Sequence, residues 1–337
     1  MIAGIEQRSQ QAVTMKPDSQ KICAAVVQAA PKLFDLPGAM DQAETLFKQA
    51  TTKGANLVVF PEAFIGGYPK GSDFGARVGM RSDEGRILFQ KYFQTAIDLE
   101  GPELKRLCKM ASEAGAFMVM GVIERDGGTL YCSTLLIDEK GQFQGCHRKV
   151  MPTGVERLIW GFGDGSTLPV VNSARGKIGS AICWENYMPQ LRMSLYQQGI
   201  EFYCASTVDD RDSWIPSMQH IAMEGRCFVL SSCQYATRAH FPLDYACIQG
   251  NDPQTVMIRG GSCIVDPFGK VLAGPVYNEN CILTAELDRS LIARGKFDLD
   301  VVGHYGRPDI FTLNVDRRPK STVIWQDVHG QEDNTSN

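Results

Sequence analysis

The chain has 337 residues, of which 44% are hydrophobic and 21% are charged, and its formal net charge is −4. This composition is typical of a globular protein that can bury a large core without disulfides or metals. The weak negative charge does not favour nucleic acid or an anionic membrane as a partner. No apolar run approaches the roughly 20 residues of a membrane span, and no apolar signal segment is visible, so we expect neither.

The 11 cysteines include no Cys-x-x-Cys pair, which disfavours zinc and thioredoxin-like sites. Their odd number and their apolar neighbours favour buried, reduced thiols. The sequence therefore predicts a cytoplasmic protein.

Strands and helices alternate in the first half of the chain. Residues 1–20 are polar without a clear period, which predicts a flexible tail. Compact apolar runs and helical spacing then predict a strand over 23–29, a helix over 40–52, a strand over 56–60, helices over 84–98 and 102–114, and strands over 117–123, 129–137 and 142–149. Because a helix separates the first two strands, we expect them to pair in parallel.

The second half continues the pattern after a strand that ends at Cys183. It predicts helices over 188–198, 213–226 and 290–297, and strands over 202–205, 227–232, 261–266, 270–272 and 282–287. The chain becomes polar beyond residue 318, so 319–337 is predicted to be a tail. No linker or repeat divides the rest, which predicts a single α/β domain over 21–318 with helices covering the sheet faces.

Three reactive side chains lie where predicted strands end, namely Glu62, Lys149 and Cys183. Binding sites in α/β proteins gather at the carboxyl edge of the sheet, so these side chains could converge there. A thiol needs a base to remove its proton, and its attack places negative charge on the electrophile, which a lysine can stabilise. Taken alone, Cys183 is more simply explained as a buried structural thiol, Glu62 as an acid at a helix N-terminus and Lys149 as a solvated loop charge. Together they predict a cysteine-dependent catalytic site.

Two other patterns compete with this interpretation. His220 could serve as the base of a Cys–His hydrolase, but its apolar helix face favours a core histidine or one that supports the site from behind. Gly161, Gly163 and Gly165 superficially resemble a phosphate loop, yet the preceding strand and the Lys-Ser/Thr pair are missing. A loop that lines a substrate pocket is the better interpretation.

The reactive residues lie in segments that resemble nitrilases of the carbon–nitrogen hydrolase superfamily. Five segments match in order between about residues 21 and 308: Phe60-Pro61-Glu62-Ala63-Phe64, Arg148-Lys149 with Pro152-Thr153 and Glu156-Arg157, Cys183-Trp184-Glu185-Asn186, residues 220–229 and residues 300–305. One such motif alone would be weak, whereas five in order are specific.

The resemblance implies a role for each matching residue. Glu62 would be the general base and acid, Lys149 would stabilise the tetrahedral species, and Cys183 would be the nucleophile. Glu156 would be an additional carboxylate that positions the substrate or Lys149. Trp184, directly after the thiol, is similar to true nitrilases rather than to amidases.

Tyr68 and Trp160 are close in sequence to Glu62 and Glu156. They are candidates, together with Trp184, for binding substrate, although core packing would explain Tyr68 and Trp160 as well.

The resemblance also implies a fold and an assembly. The carbon–nitrogen hydrolase domain over 21–318 would be a single α-β-β-α sandwich, and homodimers would be the building blocks of a larger homo-oligomer or spiral. The substrate would be a small nitrile, converted to its acid and ammonia through a thioimidate and a thioester, with no metal or organic cofactor. Nitrile or cyanide hydration and amidase activity stay open within the superfamily, as does a noncatalytic assembly protein outside it.

Overall fold

Two β-sheets carry the architecture of residues 21–323, the part of the chain that the computed structural model describes. The strands are β1 (Lys21–Gln28), β2 (Leu57–Val59), β3 (Phe117–Asp126), β4 (Thr129–Ile137), β5 (Phe143–Arg148), β6 (Val170–Ser173), β7 (Gly176–Ile182), β8 (Phe202–Thr207), β9 (Phe228–Cys233), β10 (Tyr235–Thr237), β11 (Val256–Val265), β12 (Val271–Tyr277) and β13 (Cys281–Asp288). The α-helices are α1 (Leu36–Thr52), α2 (Asp83–Gln94), α3 (Pro102–Ala114), α4 (Pro189–Gln197), α5 (Trp214–Gly225) and α6 (Ser290–Asp298).

The first sheet has six strands in the order β13-β1-β2-β3-β4-β5. Strands β1, β2 and β3 pair in parallel, which confirms the expectation for the opening of the chain. Strand β4 pairs antiparallel with both β3 and β5. This arrangement places the ends of β2 and β5, and hence Glu62 and Lys149, on one sheet.

The second sheet runs β10-β11-β9-β8-β7-β6, with β12 paired to the other part of β11. Its centre is parallel, since β7 pairs with β8 and β8 with β9. Strands β6 and β10, of four and three residues, were not predicted. Such short segments carry too little alternation to stand out in a sequence. Cys183 directly follows β7, so it lies on the opposite sheet from Glu62 and Lys149.

Alternate residues of each strand face opposite sides of its sheet. Ile22, Ala24 and Val26 of β1 pack in the core between the sheets, whereas Ala25 and Val27 face the outer helices. Helices α1 and α3 cover the first sheet, and α4 and α5 cover the second. The α-β-β-α sandwich implied by the resemblance is thereby confirmed.

The two tails predicted from the sequence fall largely outside the described residues. The predicted tail over 1–20 and residues 324–337 of the C-terminal tail lie outside the described residues, while 319–323 contain no helix or strand. Among residues 21–323, no helix combines the length and the apolar character needed to cross a bilayer.

Candidate active site

Glu62 lies in a tightly constrained turn just beyond β2. The carbonyl oxygen of Pro61 faces Gly121, where a Cβ atom would approach it to 1.9 Å, so only glycine fits at this position of β3. Ala63 adopts a positive φ of 49°, and the side chain of Gln234 donates to the Glu62 carbonyl at 2.7 Å. These contacts fix the backbone and direct the carboxylate inward, where the residue is completely buried.

Lys149 follows β5 and meets two carboxylates. Its backbone N–H donates to the Cys132 carbonyl at 2.8 Å, which holds the residue against β4. Its Nζ donates to Glu62 Oε1 at 2.7 Å and to Glu156 Oε2 at 2.8 Å. Because Lys149 is only 1% exposed, this ammonium group acts with almost no screening by water.

Glu156 is held by the first turn of a short 3₁₀ helix, Gly154–Leu158. Its Oε2 accepts a hydrogen bond from the Thr153 backbone N–H at 2.6 Å, and its Oε1 accepts one from the Tyr68 hydroxyl at 2.7 Å. The Trp160 ring lies 5.5 Å from Lys149 Nζ and 5.8 Å from the Tyr68 ring. Tyr68 and Trp160 therefore lie beside the two carboxylates, and their substrate-binding role stays a prediction.

Cys183 begins a 3₁₀ helix, Cys183–Tyr187, at the point where β7 ends. Its φ of 52° lies in the left-handed region, which costs an L-residue about 1–2 kcal/mol. The side chain of Asn186 donates to its carbonyl at 2.7 Å. A strained turn that presents one buried side chain at a strand end is the geometry of a nucleophile elbow.

Burial in the site raises the pKa of both the Cys183 thiol and the Glu62 carboxyl. Burial is the largest cause of the raised pKa of Cys183, followed by the Glu62 charge. Burial likewise raises the pKa of Glu62 more than the nearby Lys149 lowers it. Burial alone would lower the pKa of Lys149, but the charges of Glu62, Cys183 and Glu156 outweigh it and hold the pKa well above its usual range.

These shifts define what the site can do. Lys149 is a permanent cation, whereas a proton can be exchanged between the Cys183 thiol and Glu62. Glu62 Oε2 is buried and has no hydrogen-bond partner within residues 21–323, so it is available to accept a proton. The arrangement combines a thiol, a base and a fixed positive charge, which are the groups that nucleophilic catalysis through a covalent thiol intermediate requires.

A cavity of about 300 Å³ adjoins this network beside Glu156. Its walls include Tyr68, Phe74, Trp160 and Ile248. The lining is mainly apolar and aromatic, which suits a small organic molecule with a polar end directed at the charged residues.

Trp184 and His220 lie away from this network. The Trp184 indole is 43% exposed, donates to Asp209 at 2.9 Å and stacks under Arg211, so its substrate-binding role stays a prediction. The His220 side chain is 64% exposed and lies 3.6 Å from Glu224. The interpretation of His220 as a core histidine was therefore wrong, because the face of α5 that carries it points outward.

Several residues near the site were not found from the sequence. Cys132 Sγ lies 3.6 Å from Glu62 Oε1, and Gln234 holds the Glu62 backbone. Gln234 follows β9 directly, so the strand-end signal that identified Glu62 also applied to it. Cys132 lies inside β4 and carried no such signal. His147 and Glu185, both buried, were also missed.

Comparison with known proteins agrees with the motifs. The model of the carbon–nitrogen hydrolase family matches residues 23–297. The chain belongs to this family. It is 56% identical over 308 residues to a nitrilase of Bradyrhizobium diazoefficiens, covering 91% of this chain and 95% of the relative. It is 54% identical to an aliphatic nitrilase of Sinorhizobium fredii, covering 90% and 98%. The resemblance to nitrilases is thereby confirmed.

Other relatives extend the comparison. The chain is 53% identical to a bifunctional nitrilase/nitrile hydratase of Nicotiana tabacum, covering 87% of this chain and 85% of the relative. Among solved structures, it is similar in fold to Saccharomyces cerevisiae Nit3, a member of the nitrilase superfamily. That match has a TM-score of 0.66 at 22% identity and covers 85% of this chain and 97% of the other.

Proposed function

We propose that this protein is a nitrilase that hydrolyses an organic nitrile to the carboxylic acid and ammonia. The observation that carries the proposal is the line of charges from Glu62 through Lys149 to Glu156, at 2.7 and 2.8 Å, beside the strained turn of Cys183. The relatives named as nitrilases support the choice of a nitrile over other carbon–nitrogen substrates.

The first half of the reaction forms a covalent thioimidate. As the Cys183 sulfur attacks the nitrile carbon, Glu62 accepts the thiol proton and passes it to the nitrile nitrogen. The raised pKa of the thiol makes this coupled transfer necessary, because a free thiolate would face the Glu62 charge. Lys149 stabilises the negative charge that develops on nitrogen, and Glu156 holds the lysine in place.

The second half consumes two water molecules. Glu62 takes a proton from the first water as it adds to the thioimidate carbon and passes that proton to nitrogen. The new hydroxyl then gives its own proton, through Glu62, to the amine, so that ammonia leaves and a thioester carbonyl remains. A second water, activated in the same way, releases the carboxylic acid and returns the proton to Cys183. The balance is one nitrile and two waters to one acid and one ammonia.

Tyr68, Trp160 and Trp184 complete the proposal as substrate-binding residues. The first two are supported by their place on the cavity beside Glu156. Trp184 is supported by its position next to Cys183 in the chain.

A panel of nitriles tests the proposal. Phenylacetonitrile, benzonitrile, an aliphatic dinitrile, β-cyanoalanine and cyanide are incubated with the protein, and ammonia, acid and amide are quantified together. Acid with equimolar ammonia is expected, and both should vanish in Cys183→Ala. Ammonia from simple amides with no turnover of any nitrile would assign the protein to the amidases instead.

Nitrile hydration is the second candidate, favoured by the relative from Nicotiana tabacum that is named as bifunctional. The tetrahedral species formed by the first water can lose the thiol rather than ammonia, and it then gives an amide. The ratio of amide to acid in the same panel measures this branch. Amide without ammonia would make hydration the main activity.

Further parts of the proposal concern the whole molecule. We place the catalytic domain at residues 21–318, with tails on either side, in a cytoplasmic enzyme whose homodimers build a larger homo-oligomer or spiral. Phe297, Tyr305 and Phe311 are large apolar side chains that are exposed within 15 residues of one another in the chain, and they support an assembly because contiguous exposed apolar patches mark contacts between proteins. Light scattering coupled to size-exclusion chromatography tests it, and a monomer at micromolar concentration would contradict it.

A further inference from the structure

Glu185 is a buried carboxylate that the proposed reaction does not use. It lies two residues after Cys183 and is 1% exposed. Its Oε2 accepts a hydrogen bond from the Val150 backbone N–H at 2.8 Å, and its Oε1 accepts one from the Ile182 backbone N–H. Ile182 immediately precedes Cys183, and Val150 immediately follows Lys149. One carboxylate therefore holds the chain next to both residues.

His147 completes the arrangement. It is fully buried, and its Nε2 contacts Glu185 Oε1. Its Nδ1 lies 2.6 Å from the Thr167 carbonyl oxygen, which can only accept, so Nδ1 carries a hydrogen. A lone pair on Nε2 would then face a carboxylate lone pair. The contact therefore requires a second proton between His147 and Glu185, which makes it a charge-assisted hydrogen bond.

The protonation of His147 agrees with this geometry. Burial on its own would lower the pKa of His147, but the charge of Glu185 and the hydrogen bonds to Glu185 and Thr167 outweigh it and raise the pKa. Within the pair the two charges compensate each other. Glu185 can therefore sit near Cys183 without adding to the negative charge already present there.

The Glu185–His147 pair lies between the ends of strands from the two sheets. His147 and Lys149 belong to the end of β5 in the first sheet, whereas Ile182 and Cys183 belong to the end of β7 in the second. The Glu185 carboxylate thus bridges the two sheets where the reactive residues meet. Apolar packing alone permits small sliding between layers, whereas directional hydrogen bonds fix a separation.

We propose that Glu185 and His147 are positioning residues that set the distance between Lys149 and Cys183. This inference rests on the proposed roles of those two residues. The pair touches the backbone beside them and need not touch substrate. A displacement of about 1 Å in a reacting pair can lower the rate about 100-fold. The hydrogen bonds of Glu185 and His147 can therefore have a large effect on the rate even if their loss shifts the backbone only slightly.

The alternative is that the pair only stabilises the fold, as many buried ion pairs do. The chain offers a control in Glu201, a partly exposed carboxylate at the opposite end of β7. Glu201 Oε2 accepts the Lys177 backbone N–H at 2.8 Å and pairs with Arg289. It anchors the start of the strand whose other end Glu185 anchors, about 20 Å away by the rise of a strand.

The decisive comparison is Glu185→Gln against Glu201→Gln. A glutamine at 185 keeps its shape but cannot accept from Val150 and Ile182 and bond His147 all at once. We expect kcat on the best nitrile to fall about 100-fold while KM changes less than about threefold, because orientation rather than binding is lost. Glu201→Gln should keep kcat within about threefold and lose less thermal stability, because its ion pair with Arg289 is partly exposed.

A second readout does not depend on nitrile turnover. The rate of alkylation of Cys183 by iodoacetamide is followed by peptide mass spectrometry in natively folded protein. It should fall at least about tenfold in Glu185→Gln and stay near wild type in Glu201→Gln. If the wild-type protein hydrolyses no nitrile, the proposed function fails, but the alkylation rate still tests whether Glu185 and His147 position Cys183.

His147→Gln covers the case in which Glu185→Gln does not fold. It keeps one N–H donor toward Glu185 but loses the charge, so an intermediate fall in kcat and in alkylation rate is expected. Wild-type rates in a folded variant of either residue would overturn the inference. Equal losses of kcat and alkylation rate in Glu201→Gln would also overturn it. Misfolding of both Glu185→Gln and His147→Gln while Glu201→Gln folds would do so too, because the pair would then only stabilise the fold.

Discussion

Arg148 and Lys149 are adjacent in the chain, yet they enter two carboxylate networks of opposite character. Arg148 Nε donates to both oxygens of Glu124 at 3.1 Å, and its Nη2 reaches Asp126 at 2.8 Å. Its guanidinium also lies 4.1 Å above the Tyr131 ring. Lys149 instead contacts one oxygen of Glu62 and one of Glu156.

The two buried glutamates differ in how completely they are satisfied. Both oxygens of Glu124 are bonded, because Oε2 also accepts from the Ser133 hydroxyl at 2.6 Å. Glu62 has one oxygen bonded to Lys149 and one without a hydrogen-bond partner in residues 21–323. A carboxylate whose oxygens all accept hydrogen bonds, here called saturated, has no free position for a proton. An unsaturated carboxylate, which has an oxygen without a hydrogen bond, can accept a proton from a neighbouring thiol.

The comparison therefore separates a structural ion pair from a reactive one without reference to conservation. Burial alone does not distinguish them, since both glutamates are almost fully buried. The distinguishing feature is spare acceptor capacity next to Cys183.

The largest effect is expected from Glu62→Gln compared with Glu124→Gln. Glutamine at 62 cannot accept the thiol proton, so turnover should fall by about 10³-fold or more while the fold is kept. Glutamine at 124 breaks a saturated pair and should lower the free energy of unfolding by about 2 kcal/mol, with turnover within about threefold of wild type. Steady-state kinetics and urea unfolding measure both, and equal kinetic losses would remove the distinction.

Lys149→Met compared with Arg148→Met gives the next largest effect. Loss of the ammonium removes the charge that stabilises the developing anion, so kcat should fall by about 10²–10³-fold. Loss of the Arg148 guanidinium leaves Glu124 unpaired and should lower the melting temperature more than it lowers kcat. Thermal unfolding monitored by circular dichroism supplies the stability arm. Unchanged kcat in a folded Lys149→Met protein would make this lysine structural.

The pH dependence tests the raised pKa of Glu62. If Glu62 must be ionised to accept the proton, kcat/KM should fall tenfold per pH unit below a pKa that lies above the ordinary value of 4.5. A raised pKa also means that this carboxyl favours the folded state below pH 4.5 and that the benefit is lost as pH rises through the raised value. Glu62→Gln should therefore gain stability relative to wild type as pH rises. An acid limb below pH 4.5 would contradict both statements.

The strand-end positions of Glu62, Lys149 and Cys183 could be predicted because apolar runs end abruptly at each of them. Because the carboxyl ends of parallel strands lie at one edge of a sheet, the sequence alone predicts that these three residues lie close together. The division into two sheets could not be derived from the runs themselves. It depends on pairings between distant segments, such as β1 with β13, whose 253-residue separation from Gln28 to Cys281 leaves no local signal.

The residues that support the site were hidden for a different reason. Glu185 and His147 lie in segments that carry other polar residues, and only the fold reveals that they meet across two sheets. The outward orientation of Trp184 was equally hidden, because a side chain's direction after a strained turn depends on the φ of Cys183. Sequence patterns locate strand ends, whereas hydrogen-bond saturation appears only in three dimensions.

Tyr68→Phe is the mildest test of the comparison, because it changes saturation without removing a charge. The Tyr68 hydroxyl supplies one hydrogen bond to Glu156 Oε1, and the Thr153 N–H and Lys149 Nζ still bind the other oxygen. Loss of one such bond costs about 1 kcal/mol, which corresponds to a fall in kcat of about fivefold if Glu156 holds Lys149 in place. A fall in kcat with unchanged KM would indicate that Tyr68 acts through Glu156. A rise in KM alone would instead indicate that the Tyr68 hydroxyl binds the substrate. In that case the rate would depend on the free acceptor oxygen of Glu62, Oε2, and not on how many hydrogen bonds Glu156 accepts.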